Sequence, residues 1–384
     1  MRKILIIGPL VDNGGREVET NIIAKSLEYD YDLTILSTVY VTPKSIVGEG
    51  LKKTFFTTLD KEFIKTNFII FCFAFLFFIK NKFKGDVSLY VKNKLTFFFF
   101  NYSKLRHRFL LKYIDKFDLV ILEMEFRNSL YPEIIEHCFK KNKPCFFRTT
   151  RTIFDVSKEQ AGILKNVDLF IHHSEENAKN LDKYLKHKYI VIDQCAFNEA
   201  ELLKIEINPK QKLRYGFLGR LNNSKQILPL TQFFLETNHD FYIGGDGELK
   251  EELISLIDKS DNCFYLGYFE SNRLGDFFKK IDVLIISSLE ESGPLVGVEA
   301  LAAGKIVVST KVGAMPERLE NFKSPFWFDK DDIKSIGDVI DKLESLSTNE
   351  RNEIFEDYRK LYLEKMSQEV VQKKYLEAVK SYLE

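Results

Sequence analysis

Paired cysteines are missing from this sequence. Its five cysteines are odd in number and scattered, and no two of them form a CxxC pair. They are Cys72, Cys138, Cys145, Cys195 and Cys263. Neither a disulfide framework nor a zinc site is therefore predicted, and the pattern favours a reducing compartment, which we expect to be the cytoplasm.

The sequence also lacks an excess of either positive or negative charge. Lysine and arginine number 56, and aspartate and glutamate also number 56, so the formal net charge is zero. No global charge therefore attracts the chain to nucleic acid. The first residues pass directly into the strand-like run Lys3–Ile7, so we expect no cleaved signal peptide.

Long hydrophobic runs are few. The longest covers residues 68–79, which is shorter than the roughly 20 residues that a membrane-spanning helix needs. A buried helix is one interpretation of this run. The residues that follow favour another, because nine basic residues between Lys80 and Lys112 stand against a single acid, Asp86, with aromatic residues among them. That mixture is typical of contact with an anionic membrane surface, so we expect peripheral membrane contact through residues 68–112, on the inner face of the cell membrane.

Short apolar runs recur along the rest of the chain, each followed by a polar or glycine-rich segment. Most of these segments lead into a pattern with helical spacing, and this alternation predicts the parallel sheets of an α/β protein. The runs are Lys3–Ile7, Leu33–Leu36, Leu119–Leu122, Pro144–Phe147, Leu169–His172, Tyr189–Ile192, Leu213–Leu218, Phe241–Ile243, Cys263–Leu266, Val283–Ile286 and Ile306–Ser309. A length of 384 residues predicts two domains, with the polar segment 198–212 as their connection.

The stretch from Ile281 to Glu317 predicts a strand, a polar loop, a helix and a second strand. Glu291 lies in the loop beyond the strand Val283–Ile286, and Glu299 lies on the helix that Pro294 opens. The free amides of a helix N-terminus favour phosphate. Two acids beside such amides can hold the hydroxyls of a sugar and a ribose. Two glutamates eight positions apart also occur by chance in a chain of which 29% is charged.

Other predicted strand ends carry glycines or cations. Gly14–Gly15 precedes a helical pattern and permits close approach of a ligand; a plain turn is the alternative. A nicotinamide fingerprint does not fit, because the spacing is not GxGxxG and the next strand ends without the ribose-binding acid. Arg220 and Lys225 follow the strand Leu213–Leu218 and can converge on one anion, although these two residues alone favour an ordinary solvated surface. Gly244–Glu248 is a further glycine-rich strand end.

Polar residues at strand ends in the first half of the chain are candidates for binding a second substrate. Glu123 follows the run Leu119–Leu122, and Arg148, Thr150 and Arg151 follow Pro144–Phe147. Ligands in doubly wound sheets bind at this edge, so these four residues are candidates for contact with an acceptor. Taken singly, each is better explained as a capping or solvated residue. Asp329-Lys330-Asp331 resembles a DxD metal motif, but it lies in a charged turn, and we predict no metal ligands.

Four segments, in this order, resemble the retaining glycosyltransferases of the GT-B fold that carry the E-x7-E motif, known as glycosyltransferase family four or glycosyl transferases group one. They are Gly14–Gly15, GRLNNSK at Gly219–Lys225, GGDGE at Gly244–Glu248, and the stretch Glu290–Glu317. The resemblance covers the second half well and the first half loosely. It implies two Rossmann-like doubly wound domains facing each other across a cleft. Residues 1–197 would bind the acceptor, residues 198–366 the nucleotide sugar, and residues 367–384 would form a helix that packs back on the first domain.

The resemblance also implies a role for each matched residue. Arg220 and Lys225 would hold the donor diphosphate, and Glu299 would bond the ribose hydroxyls. Glu291 would bond the transferred sugar and, with the two cations, form the catalytic set. Further donor contacts are implied for Gly14, Gly15, Gly219, Gly245, Gly247, Ser292, Gly293, Pro294, Leu295 and Val296. Because the cations supply positive charge, we expect no cofactor besides the nucleotide-diphosphate sugar and no obligatory metal ion.

Several positions depart from the family pattern. Pro294 stands where glycine is commoner, which removes one amide donor. Thr149–Thr150 follows the strand where many members have a histidine, and Gln194–Cys195 replaces the usual Asn-Gly. The leading hypothesis is a hexosyl-type transferase in surface polysaccharide, lipopolysaccharide or glycolipid synthesis. The alternatives are a non-catalytic nucleotide-sugar-binding partner of a transferase and a GT-B-like sugar-nucleotide epimerase.

Overall fold

The structure is a computed structural model that describes residues 1–208, 211–322 and 325–384. The chain divides into two compact units: the first comprises residues 1–172, 178–190 and 372–384, and the second comprises residues 173–177 and 191–371. The boundaries predicted from the sequence lay at 197/198 and 366/367. In the segment 198–212, Pro209 and Lys210 lie outside the described residues.

The first unit is built on a parallel sheet. Its strands are β1 (Lys3–Gly8), β2 (Asp32–Ser37), β3 (Phe55–Thr58), β4 (Leu119–Met124), β5 (Cys145–Thr149), β6 (Leu169–His172) and β7 (Tyr189–Val191). The helices along this part of the chain are α1 (Gly15–Leu27), α2 (Leu59–Lys65), α3 (Phe68–Lys80), α4 (Lys94–Phe99), α5 (Tyr102–Ile114), α6 (Tyr131–Lys140), α7 (Lys158–Leu164) and α8 (Glu175–Asp182). The strand order is β3-β2-β1-β4-β5-β6-β7.

The second unit is built on another parallel sheet. Its strands are β8 (Tyr215–Leu218), β9 (Phe241–Gly244), β10 (Cys263–Gly267), β11 (Val283–Ile286), β12 (Ile306–Ser309) and β13 (Phe326–Trp327). The remaining helices are α9 (Glu199–Leu203), α10 (Ile227–Leu235), α11 (Lys250–Ile257), α12 (Leu274–Phe278), α13 (Leu295–Ala302), α14 (Met315–Arg318), α15 (Ile336–Ser345), α16 (Thr348–Lys365) and α17 (Gln368–Leu383). The strand order is β10-β9-β8-β11-β12-β13.

The predicted α/β class and two doubly wound sheets are confirmed. The central strands β4, β11 and β12 are buried along their whole length, because helices cover both faces of a parallel sheet, and this burial explains their continuous apolar sequences. Two strands have no counterpart among the predicted runs. These are β3, whose residues Phe55–Thr58 are half polar, and the two-residue β13.

Each sheet reverses its winding direction at one position. In the first sheet this point lies between β1 and β4, and in the second it lies between β8 and β11. Loops leave the carboxyl ends of the two neighbouring strands in opposite directions there, which opens a crevice for a ligand. The glycine pair Gly14–Gly15 follows β1, while the segment Gly219–Lys225 and Glu291 follow β8 and β11.

The last helix contributes residues 372–384 to the first unit. The Tyr375 hydroxyl donates a hydrogen bond to Glu19 Oε1 at 3.2 Å. The Tyr382 hydroxyl donates one to the Asp168 carbonyl at 2.8 Å. These contacts fasten α17 to α1 and to the residue that precedes β6.

The apolar run at residues 68–79 forms a helix, but it is not a buried one. Only Ile70 and Ala74 of α3 are buried, so the buried-helix interpretation is wrong. Within the described ranges no single helix is long and apolar enough to cross a bilayer, although α2 and α3 together pass that test as a pair bent by 117°.

Candidate functional site

Two loops of the second unit meet where its sheet reverses direction. The loop after β8 contains Gly219–Gln226, and the loop after β11 contains Ser287–Pro294. The Ser287 hydroxyl donates a hydrogen bond to the Lys225 carbonyl at 2.6 Å. The Leu289 amide donates one to the Ser224 carbonyl at 2.8 Å. These bonds hold the predicted cationic segment beside the predicted acidic loop.

Glycines allow the loops after β8 and β9 to touch. The Gly219 amide donates to the Gly244 carbonyl at 3.1 Å, and the Leu221 amide donates to the Asp246 carbonyl at 2.9 Å. A Cβ atom at Gly245 would overlap the carbonyl oxygen of Gly219, and Gly245 also has a φ of +137°. A Cβ at Gly247 would collide with Leu221 in the same way. The structure therefore gives these predicted donor-site glycines a packing role that requires no ligand.

Lys225 and Glu291 form an ion pair across the two loops. About a fifth of each side chain is exposed, 22% for Lys225 and 20% for Glu291. The Ser288 hydroxyl donates a further hydrogen bond to Glu291 Oε1 at 3.1 Å. Burial and the charge of Arg220 lower the pKa of Lys225 to about 8; the contact with Glu291 acts in the opposite direction.

Arg220 follows β8 and is exposed. Its guanidinium forms no ion pair with any residue that the structure describes. Arginine offers five donors in a rigid fork that suits phosphate oxygens. Arg220 therefore places an unneutralised cation on the same loop as Lys225.

The N-terminus of α13 carries the predicted amide cluster. The helix begins at Leu295, its N-cap is Pro294, and no side chain caps it. The first amides of a helix have no partner within the helix, so those of Leu295 and Val296 are available to an anion. Ser292 and Gly293 lead into this turn and are partly exposed.

Glu299 lies one turn into α13 and is only 5% exposed. Its carboxylate has no hydrogen-bond donor or cation among the residues that the structure describes. Burial raises its pKa to about 7. Burying most of a carboxylate without a partner is costly, so hydrogen-bond donors that reach Glu299 would stabilise its ionised form.

A buried arginine that the sequence did not single out fixes the loop before α13. Arg318 Nε and Nη2 donate to the two carboxylate oxygens of Asp193 at 2.8 and 2.7 Å. Its Nη1 donates to the Pro294 carbonyl at 2.7 Å. Gly313, with a φ of +52°, lets the same loop pack closely, because a Cβ there would lie 2.5 Å from the Ser292 carbonyl oxygen. Sequence spacing gives no sign of the pairing between residues 193 and 318.

Gly14 and Gly15 lie at the exposed N-terminus of α1 in the first unit. No side chain caps this helix. The next residue, Arg16, donates from Nη2 to Glu125 Oε1 at 2.8 Å and to the Thr150 hydroxyl at 3.4 Å. The sequence analysis did not select Arg16, which ties the end of β4 to the residue after β5.

The four predicted acceptor residues divide into two pairs. Thr150 and Arg151 are partly or fully exposed, and Arg151 Nε lies 3.3 Å from Glu125 Oε1. Glu123 and Arg148 are fully buried, and in this conformation neither side chain can touch an acceptor.

The buried pair belongs to a charged cluster inside the first unit. Arg148 is paired with Glu19, which also accepts the hydrogen bond of Tyr375. Burial and the charge of Glu19 raise the pKa of Glu123 well above its ordinary value. This cluster joins β5, α1 and α17, which is a structural role.

The second-unit site can bind an anion and several hydroxyls together. Arg220, Lys225 and the α13 amides suit a diphosphate. Glu299 and Glu291 accept hydrogen bonds from hydroxyl groups. A nucleotide-diphosphate sugar presents these groups in one molecule.

The sequence of this chain is similar to several known proteins. Residues 198–361 match the family model of glycosyl transferases group 1. A Salmonella typhimurium lipopolysaccharide 1,2-N-acetylglucosaminetransferase is 27% identical over 184 residues, which are 44% of this chain and 48% of that protein. A Klebsiella pneumoniae protein named as an uncharacterized 41.2 kDa protein in the cps region is 25% identical over 227 residues, 58% of each chain. The chain thus spans about half the length of these curated relatives.

The fold has close counterparts among solved structures. The crystal structure of Anabaena HepE in complex with UDP superimposes with a TM-score of 0.73 at 13% identity, covering 99% of this chain and 100% of that one. At such low identity the likeness shows the fold alone. The chain therefore has the GT-B fold of solved glycosyltransferases, and its residues 198–361 match the model of glycosyl transferases group 1.

Proposed function

We propose that this protein is a glycosyltransferase that moves a sugar from a nucleotide-diphosphate sugar to a glycan or lipid-linked acceptor, with retention of the anomeric configuration. The observation that carries the proposal is Glu299, a carboxylate that is 5% exposed and lacks a partner among the described residues. It lies on the helix whose uncapped N-terminus follows β11. Ribose hydroxyls would supply the missing donors while the helix amides meet phosphate.

The cations act on the leaving group. When the anomeric C–O bond breaks, the departing diphosphate gains negative charge, and Arg220 and Lys225 would stabilise that charge. Positioned groups of this kind typically contribute about 3 kcal/mol to lowering the barrier. Lys225 would exchange its contact with Glu291 for a phosphate oxygen. Glu291 could then accept a hydrogen bond from a hydroxyl of the transferred sugar.

Retention follows in this proposal from transfer on the same face of the sugar. In this proposal Glu291 and Glu299 are engaged with hydroxyls of the transferred sugar and the ribose, so neither carboxylate acts as a nucleophile. The departing phosphate oxygen would take the proton of the acceptor hydroxyl, so a separate base is not required. Polymers of the cell surface are the acceptor class that we favour, because the Salmonella relative is named for a lipopolysaccharide transfer.

Turnover tests the reaction. The purified protein is incubated with nucleotide-diphosphate sugars and with lipid-linked or free glycan acceptors, and the product's anomeric configuration is determined by NMR. We expect a product whose configuration matches that of the donor. Inverted product would refute retention. Donor binding without product from any acceptor would support the non-catalytic partner instead, and a donor converted to its epimer without an acceptor would support the epimerase.

Metal dependence is tested in the same assay. Because Arg220 and Lys225 supply the positive charge in this proposal, we expect the rate to change less than twofold when EDTA is added. Loss of turnover with EDTA, restored by Mg²⁺ or Mn²⁺, would contradict the metal-independent mechanism.

A further inference from the structure

The first unit exposes an aromatic surface that its core does not explain. Of the 23 large hydrophobic side chains exposed in the described residues, ten lie between Phe68 and Phe99. The most exposed are Phe98 at 81% and Phe68 at 77%. We call the exposed apolar side chains of α3, α4 and the intervening residues the aromatic patch. Contiguous apolar patches of this kind mark interaction sites.

One side of α3 forms much of the aromatic patch. At about 100° per residue, positions 68, 69, 72, 75, 76 and 79 fall within one stripe roughly 120° wide. All six residues are apolar, and no charged residue interrupts the helix before Lys80. Ile70 and Ala74, which are buried, lie on the opposite side. A helix that faced only water would carry polar residues along this stripe.

The helix α4 extends the same patch. The ring of Phe73 on α3 lies 5.7 Å from that of Phe99 on α4, centroid to centroid. Phe97, Phe98 and Phe99 are all exposed. The two helices therefore present one surface. A groove of about 670 Å³ runs through it, lined by Phe77, Phe97 and Phe98 together with two lysines.

Positive charge surrounds the patch. From Lys80 to Lys112 the chain carries nine basic residues and one acid. Apart from Arg106, which is paired with Asp60, none of these basic side chains forms an ion pair within the described part of the chain. This segment has a formal charge of +8, and because the whole chain is neutral, the other residues carry −8.

A basic cavity adjoins the groove. It has a volume of about 760 Å³ and shares Lys92 with the groove. Lys104 and Arg108 also line it. The one acid in its wall, Glu133, is paired with His107. An apolar groove beside a cationic cavity matches a lipid, which has a hydrocarbon chain joined to a phosphate headgroup.

We propose that the aromatic patch and the adjoining basic residues dock the protein onto the surface of a bilayer that contains anionic phospholipid. The exposed phenylalanines enter the boundary between headgroups and chains, and the lysines lie among the phosphates. A second copy of the chain fits the surface less well. A symmetric contact would bring two segments of charge +8 together.

The patch lies on the membrane and does not cross it. A helix of 13 residues such as α3 is about 20 Å long, against roughly 30 Å of hydrocarbon. The preceding helix α2 is fastened to the unit, because Asp60 accepts hydrogen bonds at 2.6 Å from both Tyr102 and Arg106. Phe63 of α2 also packs edge-on against Tyr102 and Phe109.

Vesicle flotation of the full-length protein tests the docking. The vesicles contain phosphatidylcholine alone or with phosphatidylglycerol, at low and high salt. The double variant Phe68→Ser/Phe98→Ser removes the two most exposed rings. Its matched control is Phe139→Ser/Phe154→Ser, which changes two phenylalanines of the same unit that are 60% and 62% exposed. Lys82→Gln/Lys84→Gln and its control Lys140→Gln/Lys141→Gln test the charge, since all four lysines are exposed.

We expect the wild type and both controls to float with anionic vesicles at low salt. The aromatic variant should lose at least tenfold in lipid affinity. The lysine variant should lose up to about fivefold per lysine and should depend less on salt. Wild type that fails to float, or controls that lose as much as the variants, would overturn the proposal. A concentration-dependent dimer that Phe68→Ser/Phe98→Ser abolishes, without flotation of the wild type, would assign the patch to self-association instead.

A fluorescence experiment tests whether the side chain at position 98 enters the bilayer. The chain has one tryptophan, Trp327 in the second unit, which gives the same background in every variant. Brominated lipid should quench the added fluorescence of Phe98→Trp and leave that of Phe139→Trp unchanged. Equal quenching of both, or of neither, would contradict insertion of the patch. Neither experiment needs turnover, so docking can fail while the proposed reaction stands, and the reverse is also true.

Discussion

The second-unit site and the aromatic patch of the first unit depart from ordinary packing in opposite ways. On α13 the mostly buried carboxylate of Glu299 has no partner among the described residues, whereas on α3 and α4 phenylalanine side chains are exposed to solvent. Among residues 191–371 that the structure describes, four large hydrophobic side chains are exposed, against ten between residues 68 and 99. Groups in such unfavourable environments can be stabilised by a ligand, and we propose hydroxyls for Glu299 and lipid for the phenylalanines.

The largest effect should come from breaking the second-unit site. Lys225→Ala and Glu299→Ala should each reduce kcat/KM by roughly 100-fold or more, because each removes a group that we propose contacts the donor. Lys280→Ala is the control, since this exposed lysine precedes β11 at the opposite end of the strand. Wild-type rates in either site variant, with the circular dichroism spectrum retained, would remove these residues from the donor site.

Removing Arg318 should affect stability as well as binding. Its side chain is 1% exposed and pairs with Asp193, and loss of one partner of a buried pair typically costs about 3–5 kcal/mol. We expect Arg318→Ala to lower the unfolding midpoint in urea and to weaken donor binding through the Pro294 loop. Arg273→Ala, which breaks an exposed pair with Asp276, should cost about 1 kcal/mol or less. Equal losses in the two variants would contradict the positioning role of Arg318.

The ionised Glu299 carboxylate should lower the free energy of unfolding of the ligand-free protein. Its folded pKa of about 7 lies above the ordinary value of 4.5, so the native state keeps the proton longer than the unfolded chain does. Ionisation therefore lowers stability as pH rises from 4.5 to 7, and Glu299→Gln should be more stable than wild type at pH 8 by roughly 1–3 kcal/mol. This gain should vanish near pH 4.5. Denaturation at both pH values measures it, and equal destabilisation at both would show that the carboxylate is not unpaired.

The pH profile of kcat/KM should show the ionisation of both Glu299 and Lys225 in the free enzyme. Activity should fall below about pH 7 as Glu299 takes up a proton and above about pH 8 as Lys225 loses one. Lys225→Arg retains its charge at high pH, so its alkaline limb should move upward even if its maximal rate is lower. An alkaline limb that stays in place in Lys225→Arg would assign it to another group.

The sequence was most informative where structure depends on local pattern. Central strands such as Val283–Ile286 were predicted with their exact bounds because a strand buried on both faces is apolar throughout. The positions of Glu291 and Glu299 after β11 followed from the same pattern. The edge strand β3 was missed because half of its residues are polar, and β13 was missed because it has only two residues.

Properties that depend on distant parts of the chain were not predictable. The pairing of Arg318 with Asp193 joins residues 125 positions apart, and the cluster of Arg148, Glu19 and Tyr375 joins three separate elements. The exposure of α3 was not predictable from its own sequence either, since the same apolar sequence suits a buried helix. Only the basic residues after the run favoured a surface.

Calorimetric titration with a panel of nucleoside diphosphates tests the central claim most directly, because it requires neither the sugar nor the acceptor to be known. The account predicts that at least one of them binds the wild type and Lys280→Ala equally, and that Lys225→Ala and Glu299→Gln each weaken this binding at least tenfold. If no nucleoside diphosphate binds, or if both site variants bind as tightly as wild type, the second-unit crevice is not a donor site.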